Sequence, residues 1–323
     1  MTEDNSHRVL SRLNSKNWLK NLKVEHLIAG TAGGVSATLL LHPLDLIKIR
    51  FQVNDGLVTR PTYRGIIDAF KSIKVSGGLR GLYQGVSPNA VGAGSAWGLY
   101  FFSYNFLKAN VSEAKGIKNL SAGEHLIIGA AAGASTLCIT NPVWVVKTRM
   151  CLQFNSQSVA SEVYYKGVID GLIKLYKHEG IRGYYKGFLP GLFGVSHGAI
   201  QFMTYEELKK WNSKYTGKAI DSKQSAITYI VMAALSKVVA VVVTYPYQVV
   251  RSRLQDREYH QNYKGIIDMI KKTLRNEGTK GFYKGLTPNL LRVTPACCIT
   301  FVVYENLMHF LKPILGREET LKT

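Results

Sequence analysis

Apolar residues gather into six long stretches along the chain, each about the 20 residues needed to cross a bilayer as a helix. Three of them cover residues 26–50, 123–150 and 225–252, and three cover 88–108, 190–210 and 288–311. Between the members of each pair lies a stretch of mixed apolar and basic character, over 63–75, 165–177 and 263–275. That pattern predicts a short amphipathic helix lying along a membrane surface. Glycines recur inside the apolar stretches at helical spacing: Gly30, Gly33 and Gly34, then Gly94 and Gly98, Gly129 and Gly133, Gly194 and Gly198. In water each would cost a helix about 1 kcal/mol, whereas small residues let helices approach closely in lipid. The pattern predicts an all-α membrane protein with six transmembrane helices rather than a soluble helical array.

The six stretches are three copies of one unit. HPLDLIKIR begins at His42, NPVWVVKTR at Asn141 and YPYQVVRSR at Tyr245. A Tyr-basic-Gly triplet follows at 63–65, 165–167 and 263–265, and then GLYQG, GYYKG and GFYKG at 81–85, 183–187 and 281–285. Each of these is trailed three residues later by Pro88, Pro190 or Pro288. Four ordered motifs recurring three times establish an internal repeat. Its period of about 100 residues is too long for a common solenoid unit. The organisation expected is an N-terminal tail over 1–24 and repeats over 25–120, 121–222 and 223–323, the last with a short C-terminal tail.

Charge narrows what such a protein handles. Lys and Arg number 41 against 21 Asp and Glu, a formal net charge of +20, which calls for an anionic partner. The basic groups are spread over three apolar repeats, so a nucleic-acid partner is not expected. Anionic lipid headgroups suit the basic surface helices, and Tyr83, Tyr185 and Tyr283 suit the membrane interface. A mean hydropathy of −0.01 is too polar for a bundle facing lipid on all sides and predicts a wet interior. The four cysteines form no CxxC pair and no disulfide framework; Cys297 and Cys298 are expected to pack as small buried hydrophobes. P-loop, HExxH, GxSxG and metal-ligand spacings are all missing from the sequence, so no enzymatic activity, cofactor or metal is expected. Glu3 and Asp4, without a continuous apolar run, make neither a secretory signal nor a mitochondrial presequence expected.

Each odd-numbered apolar stretch ends in proline, an acid or its substitute, and two bases. The residues are Pro43, Asp45, Lys48 and Arg50; Pro142, Trp144, Lys147 and Arg149; Pro246, Gln248, Arg251 and Arg253. A helix loses a hydrogen bond at proline and kinks, so kinks are expected at Pro43, Pro142 and Pro246. The acid position and the first base are three apart and share a helix face. Three such helices converging on an axis would bring these faces together as a plug. With these motifs the chain resembles the mitochondrial carrier family over essentially its whole length. The resemblance implies a six-helix barrel of pseudo-threefold symmetry with a matrix-side surface helix in each repeat. It further implies a monomer, multi-pass in the mitochondrial inner membrane, alternating between cytosol-open and matrix-open states.

On that resemblance Asp45, Lys48, Trp144, Lys147, Gln248 and Arg251 form a matrix gate, with Gln52 and Gln255 at a bracing position. A single acid allows these six at most one ion pair, and Trp144 offers a cation–π contact instead. The even stretches carry a second motif, Tyr104-Asn105-Lys108, Tyr205-Glu206-Lys209 and Tyr304-Glu305-Met308. It implies a cytosolic gate of Asn105, Lys108, Glu206, Lys209, Glu305 and Met308. Gates weakened at both ends suit a uniporter that returns empty.

Breaks in the threefold pattern mark the expected binding site. Eleven residues before Asp45, Trp144 and Gln248 stand Gly34, Gly133 and Lys237. Eleven steps of about 100° return to within about 20° of the same face, so Lys237 is expected to point into the pore. A charge at membrane depth costs at least about 2.5–3.5 kcal/mol unless it meets water or a partner. Along the even helices run the four-residue ladders Tyr104–Tyr100–Ala96–Gly92, Tyr205–Gln201–His197–Phe193 and Tyr304–Thr300–Ala296–Arg292. The resemblance places substrate contacts on them. Tyr100 and Phe193 would stack a ring, Gln201 and His197 bond its edges, and Arg292 fork a carboxylate or phosphate. Trp97 and Gly194 lie one step off the ladders. With Lys237 these make a cationic, aromatic cavity for a small anionic heterocycle. Trp144, GAGSAWGLYFF, FGVSHGAIQFM and RVTPACCITFVVYEN resemble the family branch that carries pyrimidine nucleotides, NAD, FAD and folates. Folate and FAD are the foremost expectation, as transported substrates rather than cofactors, and a pyrimidine nucleotide or NAD is the alternative.

Overall fold

The structure is a computed structural model of the 323-residue chain, and the residues it describes are 24–56, 60–116, 120–154, 164–217, 226–257 and 263–314. Every element among the described residues is helical. The first repeat supplies α1 (Val24–Val53), α2 (Ile66–Leu82) and α3 (Val86–Lys115). The second supplies α4 (Ala122–Cys151), α5 (Val168–Tyr184), α6 (Phe188–Leu192) and α7 (Gly194–Thr216). In the third are α8 (Ala226–Gln255), α9 (Ile266–Glu277), a 3-10 turn (Thr279–Tyr283) and α10 (Leu286–Ile314). Helices α1, α4 and α8 each run 30 residues, on through Pro43, Pro142 and Pro246. Such a length spans about 45 Å, more than the hydrocarbon core of about 30 Å.

The structure differs from the sequence pattern in two respects. The second apolar stretch of repeat two is interrupted between α6 and α7 at Phe193, where bonds tighten to three-residue spacing: Phe193 N–H to Pro190 O and Ser196 N–H to Phe193 O, both 3.1 Å. The surface helices begin at Ile66, Val168 and Ile266, three residues later than hydropathy alone puts them. The cause is local. Asp68, Asp170 and Asp268 in the first turns accept hydrogen bonds from the backbone N–H of Arg64, Lys166 and Lys264, at 2.9, 2.8 and 2.9 Å. That holds each Tyr-basic-Gly triplet outside its helix.

Each repeat builds its own small core where the C-terminal half of its first helix meets its surface helix. Leu46 and Ile47 pack with Ala69 and Ile73, Val145 and Val146 with Leu175, and Val250 and Leu254 with Met269. Gly85, Gly187 and Gly285 then join the three cores into a cycle. All three have left-handed φ, of 81°, 71° and 84°, and each turns against the next repeat's first helix. A Cβ would lie 3.2 Å from Lys147 O at Gly85, 3.0 Å from Arg251 O at Gly187 and 2.8 Å from Lys48 O at Gly285. Repeat one therefore packs on two, two on three, and three on one. Gly285→Ala combines left-handed strain with backbone overlap and is expected to destabilise the fold by about 2 kcal/mol or more. Gly98→Ala, which meets nothing within 4 Å and sits inside a helix, should leave the thermal midpoint unchanged or raise it. Equal midpoints for the two variants would contradict this packing.

The chain divides into a larger compact unit, Thr38–Pro295, and a smaller one pairing Met1–Ala37 with Ala296–Thr323. The three cores and the glycine turns described above belong to the larger. In the smaller, Gly33 lies against α10, where a Cβ would come 2.7 Å from the Thr300 carbonyl oxygen. This is the close approach that small residues permit in lipid. Among the described residues three stretches are long and apolar enough to cross a membrane: Gly123–Cys151, Thr228–Gln255 and Thr279–Phe310. The other expected spans, in α1, α3 and α6–α7, do not reach that measure. Cys297 and Cys298 correct the expectation of burial, for both are exposed. They share α10 with exposed Phe301 and Val302, an apolar surface suited to lipid rather than to a protein core.

Candidate functional site

The three proline motifs meet in one ring within the larger unit. Lys147 Nζ lies 3.2 Å from Asp45 Oδ2, and Lys48 Nζ donates to Gln248 Oε1 at 3.0 Å. The first base of repeat two thus pairs with the acid position of repeat one, and that of repeat one with repeat three. The third link is not made, because the Trp144 indole presents no acceptor to Arg251. The Arg251 guanidinium reaches Asn141 Oδ1 instead, at 3.4 Å. Trp144 holds the Lys147 ammonium 5.2 Å from its ring centroid, worth about 0.5–2 kcal/mol. Its far edge covers Gly92, where a Cβ would lie 3.2 Å away.

Asp45 has partners that the motif does not show. Arg292 Nε stands 3.1 Å from Oδ1, and Asn89 Nδ2 donates to Oδ2 at 3.1 Å. The six motif residues do share one ion pair, as expected, but Arg292 adds a second from outside them. Arg292, expected to hold substrate, is in this structure engaged with the ring's carboxylate. One carboxylate lies within electrostatic reach of three cations here: Lys48, Lys147 and Arg292.

Beneath the ring, threefold fastenings recur with changed chemistry. The residue before each helix proline holds a loop carbonyl of its own repeat: His42 Nε2 lies 2.8 Å from Gln84 O, Asn141 Nδ2 donates to Lys186 O at 3.3 Å, and Tyr245 Oη donates to Lys284 O at 3.1 Å. The second motif base ties each repeat to its neighbour. Arg50, Arg149 and Arg253 donate through Nε to the carbonyls of Cys151, Gln255 and Gln52, at 3.1, 3.1 and 3.0 Å. In repeats two and three a glutamate completes the tie. Glu179 bridges Arg149 and Lys186, and Glu277 bridges Arg253 and Lys284. Burial pushes the Glu179 carboxyl up, but the hydrogen bond and charge of Arg149, with Lys186, hold it down at about 2. Repeat one has Gly77 and Gln84 at these places, and Arg50 bonds the Gln84 side chain at 3.0 Å. Gln52 and Gln255 brace neighbouring helices rather than the ring pairs. Gln52 donates to Tyr245 Oη at 3.1 Å, and Gln255 accepts from Thr148 Oγ1 at 2.7 Å.

The expected substrate residues separate into three groups. Trp97, Tyr100 and Gly194 line a cavity of about 630 Å³ between α3, α4 and α6–α7. His197 faces α8, its Nδ1 3.0 Å from Thr244 Oγ1. Thr244 already donates to Ala240 O at 2.6 Å, so the imidazole is the donor there. Lys237 on α8 is half-buried and within electrostatic reach of His197. Arg292 makes the third group, at the ring. Gln201 is half-buried and Phe193 exposed, and neither lines the cavity.

The family model described as mitochondrial carrier protein matches residues 20–115, 118–216 and 222–314. The chain belongs to the mitochondrial carrier family. It is 42% identical over 297 residues to folate transporter 1, chloroplastic, of Arabidopsis thaliana, covering 89% of this chain and 96% of the relative. Identity to nicotinamide adenine dinucleotide transporter 1, chloroplastic, of the same plant is 40% over 313 residues, covering 95% and 96%. With the mitochondrial FAD carrier protein of Saccharomyces cerevisiae it is 34% over 306 residues, covering 89% and 97%. The carrier is accordingly a multi-pass membrane transporter of small molecules and not an enzyme.

Of the carrier's second motif, Asn105, Lys108, Glu206 and Lys209 lie in the larger unit and Glu305 and Met308 in the smaller. Asn105 and Glu305 are exposed, Lys108, Glu206 and Lys209 half-buried, and Met308 buried. Sequence reasoning missed Asn89, the pre-proline fasteners and the two bridging glutamates. A signal for the glutamates was present: Glu-Gly precedes the aromatic turn at Glu179-Gly180 and Glu277-Gly278, whereas repeat one has Gly77-Gly78.

Proposed function

We propose that the carrier moves folate, FAD or both across the mitochondrial inner membrane, as a monomer, by alternating access through six spanning helices. The Asp45 ring acts as the matrix gate and the second-motif residues as the cytosolic gate. The observation that carries the substrate reading is the division of the site. A cavity bearing Trp97, Tyr100 and Trp144 lies in repeats one and two, and around Arg292 cations outnumber carboxylates, with Lys48, Lys147 and Arg292 gathered on the single Asp45. An anion bearing a planar heterocycle fits both parts. The relatives named for folate and FAD support that class. NAD is the second reading, favoured by 40% identity to a relative named for it and by chemistry it shares with FAD, a pyrophosphate and a fused adenine. The surface helices lie against lipid. Ile67, Ile169 and Ile267 occupy one position in the three repeats and are 73%, 74% and 71% exposed, beside basic residues suited to anionic headgroups.

Uptake into liposomes holding the purified carrier, with FAD, reduced folate, NAD and UTP at equal concentration, tests the substrate. Saturable entry of FAD or folate is expected, and a preference for NAD or UTP would move the carrier to the alternative. Lys237→Ala and Arg292→Ala should each lower uptake about tenfold or more, given about 1.5–3 kcal/mol for a charge-assisted hydrogen bond. Wild-type rates in both variants would sink the cation assignment. Strict exchange, with no net uptake, would contradict uniport.

A further inference from the structure

Repeat one joins an acid to a histidine at the ring, and the other two repeats do not. The residue before the helix proline is His42, Asn141 or Tyr245, and the acid position is Asp45, Trp144 or Gln248. On the facing stretch the matching residue is Asn89, Gly191 or Asn289. His42, Asp45 and Asn89 are all buried, and Asn89 links the other two. Its Nδ2 lies 3.1 Å from Asp45 Oδ2 and 3.3 Å from His42 Nδ1.

These two contacts fix where the imidazole proton sits. An ionised carboxylate can only accept, so the amide turns its nitrogen toward Asp45 and points its two hydrogens at both neighbours. His42 Nδ1 therefore accepts, and the ring proton is on Nε2, which donates to Gln84 O at 2.8 Å. The imidazole is neutral in this arrangement. A second proton, on Nδ1, would face the hydrogens of the amide. Turning the amide over offers Oδ1 to His42, but it takes the nitrogen from Asp45 and sets an oxygen beside the carboxylate. The new charge would also stand within electrostatic reach of Lys147 as well as Asp45, at a carboxylate that Lys48, Lys147 and Arg292 already share. Two other titratable groups face the imidazole. The Tyr83 ring stacks on it at 6.0 Å between centroids, and the Cys151 thiol donates to the same Gln84 carbonyl at 3.4 Å. Neither supplies a carboxylate to hold an imidazolium.

We propose that Asn89 and His42 are positioning residues for the gate carboxylate, and that a proton on His42 withdraws Asn89 from Asp45 and favours the open matrix gate. The inference rests on the reading above that the Asp45 ring is that gate. Once the ring parts, Asn89 no longer has to serve both groups and water reaches the imidazole. The open gate thus takes the proton more readily than the closed one, and by linkage acid shifts the carrier toward opening. A histidine freed into water titrates at about pH 6.5, so going from about pH 8 to about pH 5.5 should raise the ratio of open to closed about tenfold.

The test needs no substrate. Cys151 is buried at the seam between repeats one and two, where Gly85 turns against α4, so its alkylation by a maleimide reports opening of that seam. The purified full-length carrier carries Cys138→Ser, Cys297→Ser and Cys298→Ser for this purpose, since those three thiols are exposed. Adding His42→Asn removes the titrating ring and keeps a donor of the kind that fastens the loop carbonyl in repeat two; His42→Gln serves the same comparison. The ratio of the rates with and without His42, taken at each pH, cancels the titration of the thiol itself. From about pH 8 to about pH 5.5 that ratio should rise about tenfold. A ratio that stays within about twofold would overturn the relay. Asp45→Asn should be alkylated faster at both pH values; if it is not, the gate reading fails and the relay with it. Nitrogen NMR of the histidine-labelled carrier gives an independent readout, with the His42 signal identified by its loss in either variant. It should show the neutral Nε2–H tautomer at about pH 8, and a proton on Nδ1 there would overturn the relay alone.

Discussion

Asp45→Asn is expected to transport at about a hundredth of the wild-type rate or less. Its carboxylate is 8% exposed and has Lys147 and Arg292 at 3.2 and 3.1 Å from its two oxygens. The amide keeps the shape and leaves both cations without their counter-charge. Removing one partner of a buried ion pair costs about 3–5 kcal/mol, and each 1.4 kcal/mol is about tenfold in an equilibrium. That loss falls on the closed state of the proposed gate, so the closed state is depopulated and the cycle stalls. Asp45→Glu keeps the charge and should recover part of the rate. Lys48→Ala removes a bond to the neutral Gln248 side chain and a charge interaction with Asp45 that has no direct ion-pair contact, and should cost less. Initial uptake rates in liposomes, normalised to folded protein, decide the matter. A wild-type rate for the asparagine variant would take the ring out of the mechanism.

The three inter-repeat ties should differ in strength, and methionine in place of each arginine measures the difference. Arg253 is 2% exposed in its side chain. It donates to Gln52 O at 3.0 Å, to Thr273 Oγ1 at 2.8 Å and to both oxygens of Glu277 at 2.6 and 2.9 Å. Arg253→Met strands that carboxylate with Lys284 alone and is expected to destabilise by about 3–5 kcal/mol. Arg50 is also buried, but its described hydrogen bonds go to neutral groups, the Cys151 and Gln153 carbonyls, Tyr63 and Gln84. No stranded charge follows its loss, so Arg50→Met should cost only about 1–3 kcal/mol. Glu277→Gln added to Arg253→Met should restore part of the stability, because the stranded charge is then gone. Thermal unfolding of the purified variants gives the order. Equal shifts for Arg50→Met and Arg253→Met would show that the glutamate bridge contributes nothing.

Legibility in the sequence followed repetition. Pro43, Pro142 and Pro246, the surface-helix aspartates and Gly85, Gly187 and Gly285 keep one chemistry in all three copies, and their element boundaries could be read to within a few residues. The pre-proline fasteners escaped notice because imidazole, carboxamide and phenol do the same work at His42, Asn141 and Tyr245. Arg292 was legible as a cation on a ladder, but not as a partner of Asp45. Its motif spacing fixes a helix face and leaves open which way a long side chain reaches along it.

By itself the sequence determined the three repeats, their paired apolar helices, the surface helix in each and the family. Those properties are set by periodicity within a hundred residues, where hydrophobic spacing and turn glycines act locally. Tertiary structure decided the rest: that Lys147 meets Asp45 while Lys48 meets Gln248, and that Arg251 turns to Asn141. It also decided that Trp97 and Tyr100 share a slot with α7, apart from the cations of repeat three. Each of these contacts depends on how helices from different repeats are rotated and packed against one another, which the spacing of residues along one helix does not fix.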